Sequence, residues 1–582
     1  MIIVGINAYH ADASAAIFVD GKLVAAIEEE RFRRVKHWAG FPELAIAFCL
    51  KEAGVNFADV DHFAIGRDPR AKLFKKLLYL LKHPAGNFDA VKDRLNNSRK
   101  AASLENELSR ISGLVEKEFR GKIKNIEHHR SHIASAFFAS PFESAACLSI
   151  DGSGDFSTTM IGTGKGNKIE ILGSVDFPHS IGIFYTAFTQ LLGFPYYGDE
   201  YKVMGMAPYG EPKYVDKLKE VIRLTPKGLF KLNLDYFRSG TSGVISYGED
   251  HQPNVAPLYN DKMIGLFGPP RQTAEPLSTY HKDLAASVQQ MTEQVIFHIM
   301  TGLYKKTGLE NICIAGGVAQ NSVANGKMLT HTPFKNIYIP PAGHDAGISM
   351  GAALFVQHDI LNYERQPAIK SAFTGSCFSN EEIIKILTEK KIGYLQETDE
   401  DIYHSVTECL LRGGVVGWFS GRAEFGPRAL GGRSIIADPR RADAKEIINS
   451  KIKRRESFRP FAPSILKEYV ADYFELSGEV PFMEKVFPIR KEKQKEIPAV
   501  THVDGTGRLQ TVDETISPRY YRLIDTFRKK TGIPILLNTS FNENEPIVNS
   551  PEEALDCYLR TNMDMLVMEN IIVNRQSAMG NN

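Results

Sequence analysis

The first apolar run, Ile2-Ile3-Val4-Gly5-Ile6, reads as a strand, and it breaks at Asn7-Ala8-Tyr9-His10-Ala11-Asp12-Ala13-Ser14. Two more apolar segments, 15–19 and 22–27, follow with Asp20-Gly21 between them, a pattern that predicts a hairpin. The same plan returns later. An apolar strand over 147–150 runs into Asp151-Gly152-Ser153-Gly154-Asp155-Phe156-Ser157-Thr158, then come a strand over 159–162, a Gly-rich turn and a strand over 169–172. At a shift of 144 positions Asn7 falls on Asp151 and Ser14 on Thr158. Two matching units predict a duplicated domain. Loops of this kind, with small polar residues and backbone N–H groups, can cup phosphates from two sides.

Helical spacing predicts an amphipathic helix over 41–54, another over 128–138 and a long one over 281–306. The charged stretch 68–119 is helical in pattern and reads as a solvated insertion or a lid, while 237–277 reads as loop. Strands over 311–315 and 336–340 each end in glycines, Gly316-Gly317 and Gly343-His344-Asp345-Ala346-Gly347, ahead of a helix, the second over 349–357. A linker at 362–367 precedes a further strand over 415–419, a turn rich in Gly and Arg, and a helix over 442–453. The expected architecture is α/β, with one domain over 1–360 and an α+β domain over 370–582.

With 582 residues, 43% of them hydrophobic and 24% charged, the chain is too long for one core. A formal net charge of +1 argues against a non-specific nucleic-acid binder. The six cysteines form no CxxC pair and read as reduced core residues of a cytosolic protein. No apolar run reaches bilayer length, and the expected location is cytoplasmic with no membrane partner.

On a helix over 128–138, His128 and His132 stand one turn apart, the spacing with which two imidazoles grip one metal ion. Asp151 and Asp345, each just after a strand, could add carboxylates. Position 129 is His where a zinc protease carries Glu, so the HExxH reading fails. Two imidazoles and two carboxylates suit iron, manganese or zinc, and the pair also reads as ordinary histidines. Gly316 and Gly317 let a ligand approach the backbone. Lys202, isolated among Gly and Met, could hold a phosphate or belong to a structural loop. Arg422, Arg428, Arg459 and Arg508 are set singly in turns fixed by Gly and Pro, as for bidentate contacts to phosphate or carboxylate.

Gly421-Arg422-Ala423-Glu424-Phe425-Gly426-Pro427-Arg428-Ala429-Leu430-Gly431, Phe458-Arg459-Pro460-Phe461-Ala462-Pro463 and Asn538-Thr539-Ser540-Phe541-Asn542 are three of the motifs that resemble the NodU/CmcH family of O-carbamoyltransferases. His128 to His132, Asp151-Gly152 and Gly205-Met206-Ala207-Pro208-Tyr209-Gly210 complete the resemblance, which covers nearly the whole chain. It implies a duplicated actin/sugar-kinase (ASKHA)-like domain followed by a YrdC-like domain. It further implies carbamoyl adenylate made from ATP and carbamoyl phosphate with Mg2+, and transfer of the carbamoyl group to a small-molecule hydroxyl at a metal centre, often Fe2+.

Carried over by position, the metal ligands are His128, His132, Asp151 and Asp345. Lys453, Arg459 and Arg508 match positions that act on carbamoyl phosphate and the adenylate, with Arg428 and Ser540 nearby, and His10 matches a position proposed for proton transfer. Asp12, Lys202, Gly316, Gly317, Asn321 and Arg422 complete the expected binding set. The acceptor is not encoded legibly, and a homodimer would be unsurprising. An ASKHA-type kinase, a tRNA threonylcarbamoylation protein and a non-catalytic nucleotide-binding protein are the competing readings.

Overall fold

The structure, a computed structural model, describes residues 1–82, 104–238, 245–248, 250–476 and 478–575. The chain divides into two units, Met1–Ile369 and Lys370–Asn582.

In the first unit, β1 (Ile2–Asn7), β2 (Ser14–Val19), β3 (Lys22–Glu28), β4 (His62–Ile65) and β5 (Ile123–Asn125) form one sheet in the order β3-β2-β1-β4-β5. β6 (Ser144–Gly154), β7 (Ser157–Lys165) and β8 (Lys168–Asp176) are followed by two small hairpins, β9 (Ile222–Thr225) with β10 (Leu229–Leu232) and β11 (Ile245–Tyr247) with β12 (Pro253–Val255). β13 (Asn311–Ala315) and β14 (Asn336–Tyr338) complete the second sheet, β14-β13-β6-β7-β8. Each sheet is an antiparallel three-strand meander whose first strand continues into two parallel strands. Ile6 pairs with Ala15 and Ile150 with Thr159, so the two hairpins share one register at the shift of 144 read from the sequence.

The halves exchange helices. α1 (Glu43–Ala53), closed by Gly54 in a left-handed cap, covers the first sheet. The helix that follows β5, α2 (His128–Phe137), packs on the second sheet, whereas the one that follows β14, α6 (Gly347–Leu354), packs on the first. α2 and α6 meet each other almost backbone to backbone. A Cβ on Gly351 would lie 1.9 Å from the Ser131 carbonyl oxygen, and one on Gly5 of β1 1.8 Å from that of Ser349, so no side chain fits at either position. Between them in sequence come α3 (Ile181–Leu191), α4 (Glu200–Met206) and the long α5 (Thr279–Thr307).

Three expectations change. The stretch 237–277 contains, among its described residues, the β11–β12 hairpin and a helix Asp261–Phe267. Asn260 caps that helix by accepting from the Lys262 and Met263 N–H groups, and Met263 and Phe267 are buried, a pattern too short to register as periodicity. Of 68–119, residues 83–103 lie outside the described residues, and helices Leu73–Lys82 and Leu104–Ser112 flank them. The helix expected over 442–453 is α-helical only at Ala444–Ile447 and then widens into a π turn, Ile448–Ile452, that ends at Lys453.

The second unit is built on a nine-stranded mixed sheet: β15 (Leu395–Gln396), β16 (Val416–Phe419), β17 (Arg433–Ala437), β18 (Ala462–Leu466), β19 (Lys485–Pro488), β20 (Thr506–Val512), β21 (Ile535–Ser540), β22 (Met565–Met568) and β23 (Ile571–Asn574). Their order is β15-β23-β22-β16-β17-β21-β18-β20-β19, with only β16/β22 and β18/β20 parallel. Apolar stripes at helical spacing seal it, Ile402, Val406 and Leu410 on α7 (Asp399–Leu411) and Tyr520, Leu523, Ile524 and Phe527 on α8 (Pro518–Thr531).

Candidate functional site

The helix exchange brings four polar side chains to the join of the duplicated halves. His128 and His132 face inward from the first turns of α2, Asp151 comes from β6, and Asp345 from the turn before α6. One ligand atom from each lies within 4.8 Å of the others, and all four residues are at least nine-tenths buried. His128 Nε2 is 3.0 Å from Asp151 Oδ2, and His132 Nε2 is 3.5 Å from the same oxygen and 3.4 Å from Asp345 Oδ1. Glu127 fixes the start of α2 by accepting from the Arg130 N–H, and Asp155 accepts from the His128 N–H.

Charge and burial pull against each other in this cluster. Burial resists ionisation of Asp151, but the hydrogen bond with His128 and the charges of both histidines outweigh it and hold its carboxyl well below the usual range. Burial and then the Asp151 charge push Asp345 well above that range. Burial opposes protonation of His128, yet its Asp151 hydrogen bond and the Asp345 charge raise it. Among the described residues, His132 Nε2 and Asp345 Oδ1 are buried without a hydrogen-bond partner. Buried polar atoms rarely go unpaired. A divalent cation fits this donor set, and it would satisfy both atoms.

Glycines after β13 hold Asp151 rather than leaving an open cradle. The Gly317 N–H donates to Asp151 Oδ1 at 3.1 Å, while Gly316, at φ +102°, lies so close to the Ile150 carbonyl that a Cβ would sit 2.1 Å from its oxygen. Asn321 caps the helix Ser322–His331 and exchanges two hydrogen bonds with Gln289 of α5. Lys202 pairs with Asp199 at 2.7 Å.

The loop after β1 lies beside the cluster. The His10 ring centroid is 5.1 Å from that of His128, and burial followed by the His128 charge holds His10 well below the ordinary histidine value. Asp12 contacts His37 Nδ1 at 2.7 Å and lies 3.9 Å from His344 Nε2. Burial opposes its ionisation, but the His37 and His344 charges outweigh this and lower its carboxyl. His37, raised to about 9 against its own burial by Asp12, was not singled out by the sequence, where a lone His after a basic run has no distinguishing pattern.

In the second unit the convergent groups are cations. Lys453, buried, donates to the Ser540 and Asn542 carbonyl oxygens at 2.5 and 2.7 Å and to Asn542 Oδ1 at 2.6 Å, with Ser540 Oγ at 3.3 Å. Burial and the neighbouring Arg428 and Arg455 charges hold Arg508 well below its ordinary value. Its Nε is buried without a hydrogen-bond partner among the described residues. Arg455, a member absent from the sequence-derived set, donates to Asn449 Oδ1, and Asn449 in turn donates to the Arg459 carbonyl. Nothing in the run from Lys451 to Arg459 distinguishes Arg455 from its basic neighbours. Arg459 pairs with Glu456. Arg422 donates to the Thr374 carbonyl at 3.0 Å. The Gly-rich turn between β16 and β17 closes around the buried Glu424, whose Oε1 accepts from the Leu430, Gly432 and Arg433 N–H groups.

Comparison with known proteins identifies the family of both units. The family description Carbamoyltransferase N-terminus matches residues 2–354, and Carbamoyltransferase C-terminus matches 407–575. A protein of Synechocystis sp. named Uncharacterized protein sll1178 is 43% identical over 606 residues, covering 98% of this chain and 96% of that one. Nodulation protein NolNO of Sinorhizobium fredii is 36% identical, covering 98% of this chain and 80% of its own. Among solved structures, the activator of the 2-hydroxyisocaproyl-CoA dehydratase from Clostridium difficile with bound ADPNP aligns over 62% of this chain and 97% of its own at 13% identity. Its TM-score of 0.32 is too low to carry an argument. The two family matches together span most of the sequence, and the chain belongs to the carbamoyltransferase family.

Proposed function

We propose that the protein is an ATP-dependent O-carbamoyltransferase that makes carbamoyl adenylate in its second unit and transfers the carbamoyl group to a small-molecule hydroxyl in its first. The observation that carries the transfer half is the buried cluster of His128, His132, Asp151 and Asp345, with two unpartnered atoms among its four ligands. A transition metal there would supply a Lewis acid for the carbonyl or phosphate oxygen of the donor. His10, kept neutral by burial, accepts the proton that the acceptor hydroxyl loses as its oxygen attacks the carbamoyl carbon and AMP departs. Asp12 and His37 order the loop that carries His10.

In the second unit, Arg508 is buried and faces the charges of Arg428 and Arg455, a position that an anion relieves. Carbamoyl phosphate and the phosphates of Mg-ATP fit that requirement. Water first cleaves carbamoyl phosphate to carbamate and inorganic phosphate; as a carbamate oxygen then attacks the α-phosphorus of ATP and pyrophosphate leaves, these guanidinium groups neutralise the charge on the leaving group. Lys453 holds the Ser540–Asn542 turn through four contacts and thereby sets one wall of the site.

Incubating the purified protein with ATP, Mg2+, carbamoyl phosphate and ferrous iron, without acceptor, tests this reading. Pyrophosphate release that depends on carbamoyl phosphate and falls roughly 10²–10³-fold in Arg508→Ala supports it. ADP formed with any acceptor, in place of AMP and pyrophosphate, sinks it in favour of a kinase.

A further inference from the structure

Three hydrophilic side chains stand side by side on buried strands of the second unit. Ser464 of β18, Gln510 of β20 and Asn538 of β21 are 0, 3 and 1% exposed. β18 runs between the other two strands, with Ser464 paired to Gln510 and Ala462 to Asn538, so all three side chains fall on one face of the sheet. The Ser464 hydroxyl donates to Gln510 Oε1 at 2.5 Å, and Asn538 Nδ2 donates to that oxygen and to Ser464 Oγ at 3.0 Å each. Asn538 Oδ1 is buried without a hydrogen-bond partner among the described residues. Leaving an acceptor unpaired destabilises a core, and apolar side chains here would avoid it, so packing does not explain the network.

What the network grips is the turn that carries Arg428. Gln510 Nε2 donates to the Leu430 carbonyl at 2.7 Å, and Asn538 Nδ2 donates to the Ala429 carbonyl at 3.1 Å. Glu424 holds the N–H groups of the same turn, so its carbonyls and its N–H groups are fixed separately. Arg508 stands two residues from Gln510 on β20, and Ser540, which Lys453 contacts, stands two residues from Asn538 on β21. Residues at that spacing share a strand face. Arg428 is near enough for its charge to act on Arg508. The polar groups that converge in this unit thus come from one turn and two strands that are not chain neighbours, and the network joins all three.

We propose that Ser464, Gln510 and Asn538 are positioning residues of the adenylate-forming site, and that they fix the placement of Arg428 relative to Arg508 and Ser540 for a phosphate-bearing substrate. The inference rests on the carbamoyl-adenylate reading. Its test is the binding of inorganic pyrophosphate, the leaving group of that reaction, titrated calorimetrically into full-length protein with Mg2+. The affinity that Arg508→Ala removes identifies the site. Gln510→Met, which keeps the side chain's length and removes its hydrogen bonds, should bind pyrophosphate at least about tenfold more weakly, the effect of losing one hydrogen bond to a charged group. Ser464→Ala, which leaves the Gln510 amide in place without its anchor, should weaken binding in the same direction by less. Both variants should keep the wild-type number of sites, because loss of folded protein lowers that number and leaves affinity unchanged. An affinity unchanged in either variant overturns the proposal, as does a wild type that binds no pyrophosphate. The carbamoyl-adenylate reading is decided by a different measurement, pyrophosphate release from ATP, so the two can fail separately.

Discussion

In the first unit, imidazoles and carboxylates converge until the Asp345 carboxyl is pushed well above its usual range, whereas in the second, guanidinium groups converge until Arg508 is held below its ordinary value. Each arrangement is costly as it stands, and each cost has a sign. Crowded donors of lone pairs are relieved by a cation, and crowded cations by an anion. The scaffolds differ to match. The first site is mounted on helix starts and strand ends around a duplicated join, which fixes ligand positions for a small ion. The second draws on turns and on the end of a π turn, which carry Lys453 and Arg455.

If the two sites are separate in this way, variants in them should have crossed phenotypes. The largest effect belongs to Asp345→Ala. Bound metal, measured by elemental analysis after anaerobic loading, should be lost by more than the roughly 100-fold that an outer-sphere partner costs, and transfer with it, while pyrophosphate release is unchanged. A parallel fall in pyrophosphate release would erase the distinction. Next, His10→Asn should lower transfer about 10²–10⁴-fold and leave both metal content and adenylate formation intact.

The same residue gives a pH signature. The working form of His10 is neutral, and burial followed by the His128 charge lowers its affinity for protons. Transfer should therefore hold steady as pH falls through 6.5 and decline only below it. A decline centred at or above 6.5 would remove His10 as the base. The smallest effect is structural. Glu424→Gln weakens a carboxylate that accepts from three backbone N–H groups, and it should cost about 1–3 kcal/mol in the urea unfolding of the second unit with metal content unaltered.

Much of the first site was legible because short-range patterns encode it. The spacing of His128 and His132, the hairpins after Ile6 and Ile150, and the glycines around Asp345 are all local. What the sequence could not show was the exchange of helices that carries α2 and α6 to each other's sheets, since that depends on packing across more than two hundred residues. Gly316 and Gly317 illustrate the same limit. Their freedom was readable, but only the fold reveals that the Ile150 main chain fills the space beside Gly316 and the Asp151 carboxylate the space beside Gly317. Arg455 stayed hidden among Lys451, Lys453 and Arg454 because charge runs do not announce which member turns inward. The helix Asp261–Phe267 was missed for shortness alone.

Backbone contact between α2 and α6 has one more consequence. Where helices are separated by large side chains, rotamer changes let the gap breathe; here Gly351 meets the Ser131 carbonyl with no side chain between them. His128 and His132 on α2, and Asp345 in the turn that leads into α6, hang from main chain in direct contact, so the spacing of the cluster is set by that contact. Ion discrimination would then be a matter of bore as well as of ligand chemistry. A methyl group added at Gly351 would press on the Ser131 carbonyl, next to His132, and change that bore.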